Sequence, residues 1–124
     1  MNNIAKTISR FTKKEIDILF TTSKAILKSK ELVILTAPCL LSSGRILLIT
    51  SRKVGNAPQR NLLRRWGRAI FYEQRLFEKQ IHCIVIFKAP AKYMTFDHFK
   101  KILIQSLEKS IISDKTSDDH VQKN

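Results

Sequence analysis

The segment from Ser51 to Arg68, hereafter the basic segment, carries the side chains whose types and spacing could do chemistry, and that chemistry is the binding of a polyanion. The window 32–72 around it contains seven Lys or Arg and no Asp or Glu, whereas solvated surfaces normally mix both signs of charge. From Pro58 onward, residues at helical spacing divide into two sides. The cationic side comprises Arg60, Asn61, Arg64, Arg65, Arg68 and Arg75, and the apolar side comprises Leu62, Leu63, Trp66, Ala69, Ile70 and Phe77. A helix with an apolar stripe for the core and an arginine-lined outer face should bind a polyanion.

The charge of the whole chain agrees with this interpretation. Twenty-three Lys or Arg against ten Asp or Glu give the 124 residues a formal net charge of +13. Such a balance predicts attraction to nucleic acid or to an anionic membrane surface. The membrane is disfavoured, because the strands on either side of the basic helix need its apolar face for their core. The first ten residues lack the apolar run of a signal peptide, and no later stretch approaches the roughly 18 apolar residues of a membrane span.

The acids and histidines of the chain do not converge on a catalytic site. None of the ten acids forms the paired-carboxylate arrangement that would hold two metal ions for phosphodiester cleavage, and the three histidines show no metal-ligand spacing. We expect His82 to be a strand residue facing a partner or solvent, and His98 to be an exposed first-turn residue. Gly55 should form a turn, because the second glycine and the Lys-Ser/Thr pair of a Walker phosphate loop are missing. The sequence therefore predicts no catalytic, metal-binding or cofactor-binding residue.

Length and cysteine usage favour one domain in a reducing compartment. A chain of 124 residues with 44% apolar residues can supply one core. Cys39 and Cys83 stand outside any CxxC spacing, and we interpret both as reduced core thiols of a cytosolic protein. A disulfide between them is the less favoured alternative.

The elements that position the basic helix are predicted to form a single α+β domain, ordered α-β-β-α-β-α, over residues 1–112. The patterns predict helices at 11–29, at 58–77 and from the N-cap Thr95 onward, and strands at 32–37, 45–51 and 81–88. The first two strands are most simply antiparallel neighbours, and the third, almost continuously apolar, should be central in its sheet. Residues 113–124 have almost nothing to bury and should be disordered.

Three residues of the basic helix bear on what that helix contacts. Gly67 costs on the order of 1 kcal/mol relative to Ala inside a helix. Either it lets another backbone or an RNA strand approach closely, or it is simply tolerated. Phe71 and Tyr72 are expected to project toward the basic side, where they could stack on RNA bases.

The basic segment resembles the signature of the protein subunit of bacterial ribonuclease P. That signature is a basic pair, then Gly-x-Ala, an Arg-Asn dipeptide, and Lys/Arg-Arg followed by another arginine three residues on. The likeness extends to Arg10–Glu15 with Phe20, which is similar to the opening helix of the family, and to Phe87–Ala91, which is similar to the end of its last strand. It covers about residues 10–109. The chain departs from the usual pattern at Ile16, Leu35, Pro58, Leu62 and Gly67.

The resemblance implies a protein that binds a large catalytic RNA and assists endonucleolytic, hydrolytic removal of the 5′ leader from precursor tRNA. The RNA and its Mg²⁺ would do the chemistry, and the protein would be a non-catalytic, cytoplasmic subunit that binds no cofactor itself. Neither a membrane nor a protein partner is indicated. The strand–basic helix–strand unit would form a left-handed crossover, although chirality rules alone favour a right-handed one. The residues implied to meet the catalytic RNA are Arg52, Lys53, Asn56, Arg60, Asn61, Arg64, Arg65 and Arg68, and those implied to meet the leader are Phe11, Phe20 and Lys88.

Two other functions fit part of the pattern. A general nucleic-acid-binding module, such as a ribosomal-protein-like domain, fits the charge and the basic helix equally well, and the spacing of the signature separates it from the ribonuclease P subunit. A nuclease acting without RNA is disfavoured by the scattered carboxylates.

Overall fold

A computed structural model describes the backbone of residues 4–39 and 43–123, and the side chains of residues 6–39 and 43–109. The helices are α1 (Ile4–Thr7), α2 (Lys13–Thr22), α3 (Ala57–Glu73) and α4 (Phe96–Lys123), and the strands are β1 (Lys24–Lys28), β2 (Leu32–Pro38), β3 (Ile46–Ile49) and β4 (Ile81–Phe87). Short 3₁₀ turns occupy Arg52–Val54, Leu76–Lys79 and Ala89–Tyr93. This arrangement confirms the predicted α+β class.

The four strands form one mixed sheet in the order β1-β2-β4-β3. β4 pairs antiparallel with β2 from Leu32↔Phe87 to Pro38↔Ile81, and parallel with β3. Its predicted central position is confirmed. β2 and β3 run antiparallel, as expected, but the expectation that they are neighbours is wrong, because α3 carries the chain back so that β4 runs parallel to β3 and lies between the two. A strand that is apolar on both faces gains most from that inner position.

The predicted helix 11–29 is wrong beyond Thr22. α2 begins with a capping box, in which the Thr12 Oγ1 accepts the backbone N–H of Glu15 and the Glu15 carboxylate accepts the backbone N–H of Thr12. Ser23 then turns extended, and β1 pairs antiparallel with β2. Backbone hydrogen bonds to the free edge of β2 override the weak helical pattern of this segment, since strand formation depends on context more than on local propensity. The strand β1 and the short helix α1 were both missed by the sequence patterns.

The two faces of the sheet are covered unequally. One face packs against α3 and α4, and its buried residues include Ile34, Val85 and Phe87. On the other face, Leu19 of α2 packs on Ala37 and Ile84. Neighbouring apolar residues of that second face, which are Leu35, Leu47, Ile49 and Ile86, are half-buried. The sheet face under α2 is therefore partly open.

Helix α3 lies close against β3 at Gly67. A Cβ atom added there would stand 2.4 Å from a terminal methyl carbon of Leu48, and Gly67 is buried. The close approach that the sequence suggested is thus explained by a side chain of the sheet, and neither another backbone nor RNA is needed to account for the glycine. Trp66, on the same helix, is half-buried and meets Phe96 of α4 edge to face, with ring centroids 5.6 Å apart.

Helix α4 begins where the sequence indicated. The backbone N–H of His98 donates to Thr95 Oγ1 at 3.1 Å, which confirms the N-cap. The backbone of α4 continues to Lys123, through a segment for which the sequence predicts disorder. That segment contains no glycine or proline that would end a helix. Because its side chains lie outside the described residues, the domain boundary at residue 112 stays a prediction.

Candidate nucleic-acid interface

The loop of the basic segment is held by one buried side chain and one glycine. Val54 is fully buried, whereas Arg52 and Lys53 before it are exposed. Gly55 has φ +146°, and a Cβ there would stand 2.1 Å from the Gln59 Oε1. Only a residue without a side chain fits this conformation. The loop therefore anchors itself through Val54 while it presents two cations outward, and the expectation of a turn at Gly55 is confirmed.

Asn56 starts helix α3. Its Oδ1 accepts the backbone N–H of Gln59 at 3.0 Å, and the Gln59 Oε1 accepts the backbone N–H of Asn56 at 3.0 Å. This reciprocal capping box fixes the helix beginning on which the arginines are arranged. The structure thus gives Asn56 a structural task, and its contact with RNA stays a prediction.

The predicted RNA-contacting residues lie together on this loop and on one side of α3. Arg52, Lys53, Asn61 and Arg65 are exposed, and Arg60, Arg64 and Arg68 are half-buried. Arg64 donates to Thr50 Oγ1 and to Asn61 Oδ1, so its guanidinium is held between the end of β3 and the helix. Within residues 6–39 and 43–109, none of the six cations forms an ion pair. Their charge is left uncompensated and available to a polyanion.

Two aromatic residues and one arginine do not belong to this surface. Phe71 is fully buried in the core, and Tyr72 is half-buried and stacks on Phe77 at 5.9 Å. The prediction that Phe71 and Tyr72 offer stacking surfaces beside the arginines is therefore wrong, since the apolar stripe is wider than the pattern indicated. Arg75 lies beyond the end of α3 in a left-handed conformation and pairs with Glu78.

The parallel pairing of β3 and β4 puts Lys88 at the same sheet edge as the basic segment. The turn Arg52–Val54 follows β3, the turn Ala89–Tyr93 follows β4, and the two turns are in contact. Lys88 donates from its Nζ to the carbonyl oxygen of Ser29 at 2.7 Å, in the connection between β1 and β2. The cations that follow β3 and those that follow β4 thus lie at the same end of the sheet.

A groove lies at the opposite end of the sheet, between α2 and the strands. Its volume is about 210 Å³, and it is lined by Phe11, Glu15, Ile18, Leu19, Thr22, Pro38, Arg45 and His82. Phe11 meets His82 edge to face, with centroids 5.6 Å apart. Phe20 is 43% exposed on α2 but does not line the groove. Of the three predicted leader-contacting residues, therefore, one is in the groove, one is on the helix above it, and Lys88 is roughly 20 Å away along β4 at about 3.3 Å per residue.

Sequence reasoning missed the charged cluster that shapes this groove. Arg45 pairs with Glu15 through two hydrogen bonds of 3.0 and 3.3 Å, and donates to the carbonyl oxygen of Arg10 at 2.7 Å. Hydrogen bonding to Arg45, followed by the Thr12 backbone N–H, lowers the pKa of Glu15 to about 2. No sequence pattern indicates this ion pair, because Glu15 and Arg45 lie 30 residues apart in the chain.

His82 completes the groove wall as a buried, neutral side chain. Its Nδ1 accepts the backbone N–H of Arg45 at 3.1 Å. Burial, with the nearby Arg45 charge, lowers the pKa of His82. The expectation that His82 faces solvent is wrong, because the ring is buried against Phe11 and the Arg45 backbone. The alternative that it faces a partner stays a prediction, since the ring lines the groove.

Neither Cys39 nor Cys83 takes part in a disulfide. Cys83 is fully buried, and burial raises its pKa. Cys39 is half-buried, and its Sγ donates to the carbonyl oxygen of Ser43 at 3.3 Å. The less favoured alternative of a disulfide between them is therefore not adopted by the fold.

The described part of the chain provides neither a metal site nor a membrane span. No group of three or more His, Cys, Asp or Glu side chains is close enough there to hold a metal ion. None of the helices in the same residues combines the length and apolarity that crossing a bilayer requires.

Comparison with known proteins decides the family. The model of the ribonuclease P family matches residues 7–110, which include the groove and the whole basic segment. The chain belongs to the ribonuclease P protein family. A ribonuclease P protein component from Bacillus pumilus (strain SAFR-032) is 36% identical over 69 residues, which cover 55% of this chain and 58% of that protein. The chain thus matches somewhat more than half the length of this relative.

Solved structures of ribonuclease P proteins share the fold. The Staphylococcus aureus protein, at 22% identity, superposes with a TM-score of 0.71 over 83% of this chain and 94% of that one. The Thermotoga maritima protein, at 23% identity, superposes with a TM-score of 0.69 over 82% of this chain and 96% of that one. The resemblance found in the basic segment and the predicted fold class are both confirmed, whereas the hand of the β3–α3–β4 crossover stays a prediction.

Proposed function

We propose that this protein is the non-catalytic subunit of a ribonuclease P holoenzyme, that it binds the catalytic RNA through the basic segment, and that it assists removal of the 5′ leader from precursor tRNA. The observation that carries the proposal is the uncompensated cationic surface of α3 and its loop, in a chain of the ribonuclease P family. The hydrolytic chemistry would reside in the RNA and its Mg²⁺, and the protein would bind no cofactor of its own.

Charge and geometry both suit an RNA backbone. Arginine side chains form paired hydrogen bonds to phosphate oxygens, and each phosphate that a cation neutralises releases condensed counterions. Arg52 and Lys53 at the loop and Arg60, Arg65 and Arg68 along the helix would follow such a backbone. Because protein cations reduce the repulsion between closely folded RNA strands, the holoenzyme would need less Mg²⁺ than the RNA alone.

The leader would lie in the groove between α2 and the sheet and on the open sheet face beside it. A single-stranded leader offers unstacked bases, and the ring of Phe11 lines the groove while Phe20 on α2 is 43% exposed beside it. Lys88 would meet a phosphate farther along, at the edge that it shares with the basic segment. A cytoplasmic location would agree with the two cysteines, neither of which takes part in a disulfide.

A reconstitution assay tests the proposal. The protein is mixed with a bacterial ribonuclease P RNA and a precursor tRNA at limiting Mg²⁺, and cleavage is compared with that of the RNA alone and the protein alone. We expect stimulation of the RNA and no cleavage by the purified, RNA-free protein. Leader removal by the protein alone would identify a nuclease instead, and tight RNA binding without stimulation would identify a general RNA-binding module.

A further inference from the structure

We propose that Tyr93 and the lysines beside it form a stacking site for an unpaired RNA base, separate from the groove under α2 and from the arginine face of α3. The site would extend the RNA-binding surface, and the inference therefore rests on the proposed function. It starts from one observation: Tyr93 is 79% exposed, well above the 55% of Ile18 and the 43% of Phe20 among the exposed large apolar side chains of the described residues.

The ring stands at the mouth of a cleft that the sequence patterns did not indicate. The cleft measures about 240 Å³ and lies between the β1–β2 connection, the turn Ala89–Tyr93 and the first turn of α4. Its lining residues are Lys30, Glu31, Pro90, Tyr93, Met94, Thr95 and His98. An exposed ring beside a cleft of this size gives a planar base both a surface to stack on and a place to insert an edge.

Cations flank the ring. The Lys92 Nζ lies over the Tyr93 ring, 5.3 Å from its centroid, and Lys30 is exposed on the far side of the cleft. Neither lysine forms an ion pair in the ranges whose side chains are described. The carboxylate in the cleft, Glu31, is turned toward the protein, with one oxygen 3.3 Å from the Ser29 hydroxyl and the other 3.7 Å from the His98 Nε2. The lysines therefore remain available to the phosphates on either side of a stacked base.

The position of the cleft continues the basic surface already described. The turn that carries Tyr93 contacts the turn Arg52–Val54, and Lys88 lies directly before it. An RNA strand that contacts the loop of the basic segment would therefore reach Tyr93 on the adjacent turn, at the same end of the sheet. Tyrosine rings placed beside phosphate-binding cations are the usual means of holding single-stranded RNA.

Binding of the full-length protein to an oligoadenylate of about ten nucleotides, measured by fluorescence anisotropy, tests the inference. We expect Tyr93→Ala to weaken this binding about fivefold or more, and Tyr93→Phe, which keeps the ring, to change it by less than about twofold. Tyr93→Leu, which keeps apolar bulk without an aromatic face, should behave as Tyr93→Ala does. A duplex RNA of the same length offers no unpaired base, and its affinity should be unaffected by all three changes.

A lysine pair supplies the matched electrostatic test. Lys30→Ala should flatten the slope of log affinity against log salt for the oligoadenylate by about 0.7. Lys79→Ala, at the opposite end of the sheet just before β4, should leave the slope unchanged. Three results would overturn the site: the wild-type protein fails to bind oligoadenylate, Tyr93→Ala binds it as tightly as the wild type does, or Tyr93→Phe loses as much affinity as Tyr93→Ala. Failure of the proposed function would give a different result, because the wild-type protein would then not bind ribonuclease P RNA at all.

Discussion

The guanidinium of Arg45 lies 4.4 Å from the ring centroid of Phe11 while it forms an ion pair with Glu15. Arg45, which directly precedes β3, thereby contacts both Phe11, just before the N-cap of α2, and Glu15 in the first turn of that helix. Phe11 owes its place in the groove wall to this contact and to His82. The shape of the candidate leader groove thus depends on a contact between segments distant in sequence.

The Glu15–Arg45 pair should make stability depend on acid in a defined range. The pKa of Glu15 is about 2 in the folded protein against 4.5 in the unfolded chain. The stabilisation is therefore complete above pH 4.5 and is lost as the pH falls toward 2. We expect Glu15→Gln to lower the unfolding midpoint near neutral pH, and the difference from wild type to vanish toward pH 2. Urea denaturation across that range measures it.

A double-mutant comparison isolates the pair. Arg45→Gln should remove most of the same acid-dependent difference, and Glu15→Gln in the Arg45→Gln background should add only a small further acid dependence, because Thr12 alone then lowers the pKa of Glu15. The lowered pKa of His82 costs stability as the pH falls below its ordinary value of 6.5, and this loss should be larger in Glu15→Gln, because the Glu15 charge raises the pKa of His82. An acid-dependent difference of undiminished size without Arg45 would contradict the assignment.

The arginines of α3 should carry affinity for ribonuclease P RNA, and their replacement should leave the fold intact. Replacement of Arg64, Arg65 and Arg68 by Ala should weaken binding and flatten the slope of log affinity against log salt by about 0.7 to 0.9 for each phosphate that the variant no longer neutralises. Arg75→Ala is the matched control, because Arg75 lies outside α3 and is paired with Glu78. Titrations at several salt concentrations measure the slopes. If the triple variant retained the wild-type slope, these arginines would be a solvated surface only.

Gly67 should be required by the packing of α3 on β3. Ala is favoured over Gly in a helix by about 1 kcal/mol, whereas overpacking a closely packed site costs about 1–3 kcal/mol. Because the added Cβ would meet Leu48 at 2.4 Å, we expect Gly67→Ala to destabilise the protein by about 1 kcal/mol in urea denaturation.

The sign of this effect should reverse when Leu48 is shortened. In a Leu48→Ala background the three atoms nearest to the added methyl group are gone, so Gly67→Ala should stabilise by up to about 1 kcal/mol. If Gly67→Ala destabilised the protein equally in both backgrounds, the contact with Leu48 would not be the reason that glycine is required at position 67.

Phe20 should contact the leader of precursor tRNA rather than stabilise the core. The side chain is 43% exposed, and an aromatic platform contributes about 1–3 kcal/mol per stacked base. We expect Phe20→Ala to reduce affinity for precursor tRNA more than for mature tRNA, in the holoenzyme, at nearly constant melting temperature. Phe20→Tyr, which keeps an aromatic ring at the same position, is the matched control and should leave the ratio of the two affinities unchanged. An unchanged ratio of the two affinities in a destabilised variant would assign Phe20 to the core.

The sequence by itself determined the family, the fold class and the cationic helix, because each depends on residues close together in the chain. Arg60, Arg64 and Arg68 share one side of α3 through the helical period alone, and the family signature lies within the basic segment. Thr95 caps α4 through a hydrogen bond across three residues. Local periodicity and capping are the properties that a linear pattern can express.

Only the tertiary structure decided the pairing of the strands and the neighbours of the site. β1 forms because β2 offers it an edge, and β3 lies parallel to β4 because α3 connects them. Arg45 meets Glu15 across 30 residues, and Tyr93 and Lys30 reach one cleft from separate connections. Contacts of this kind follow from which surfaces are buried together, and a period of 2 or 3.6 residues within one segment carries no information about the segment it will face.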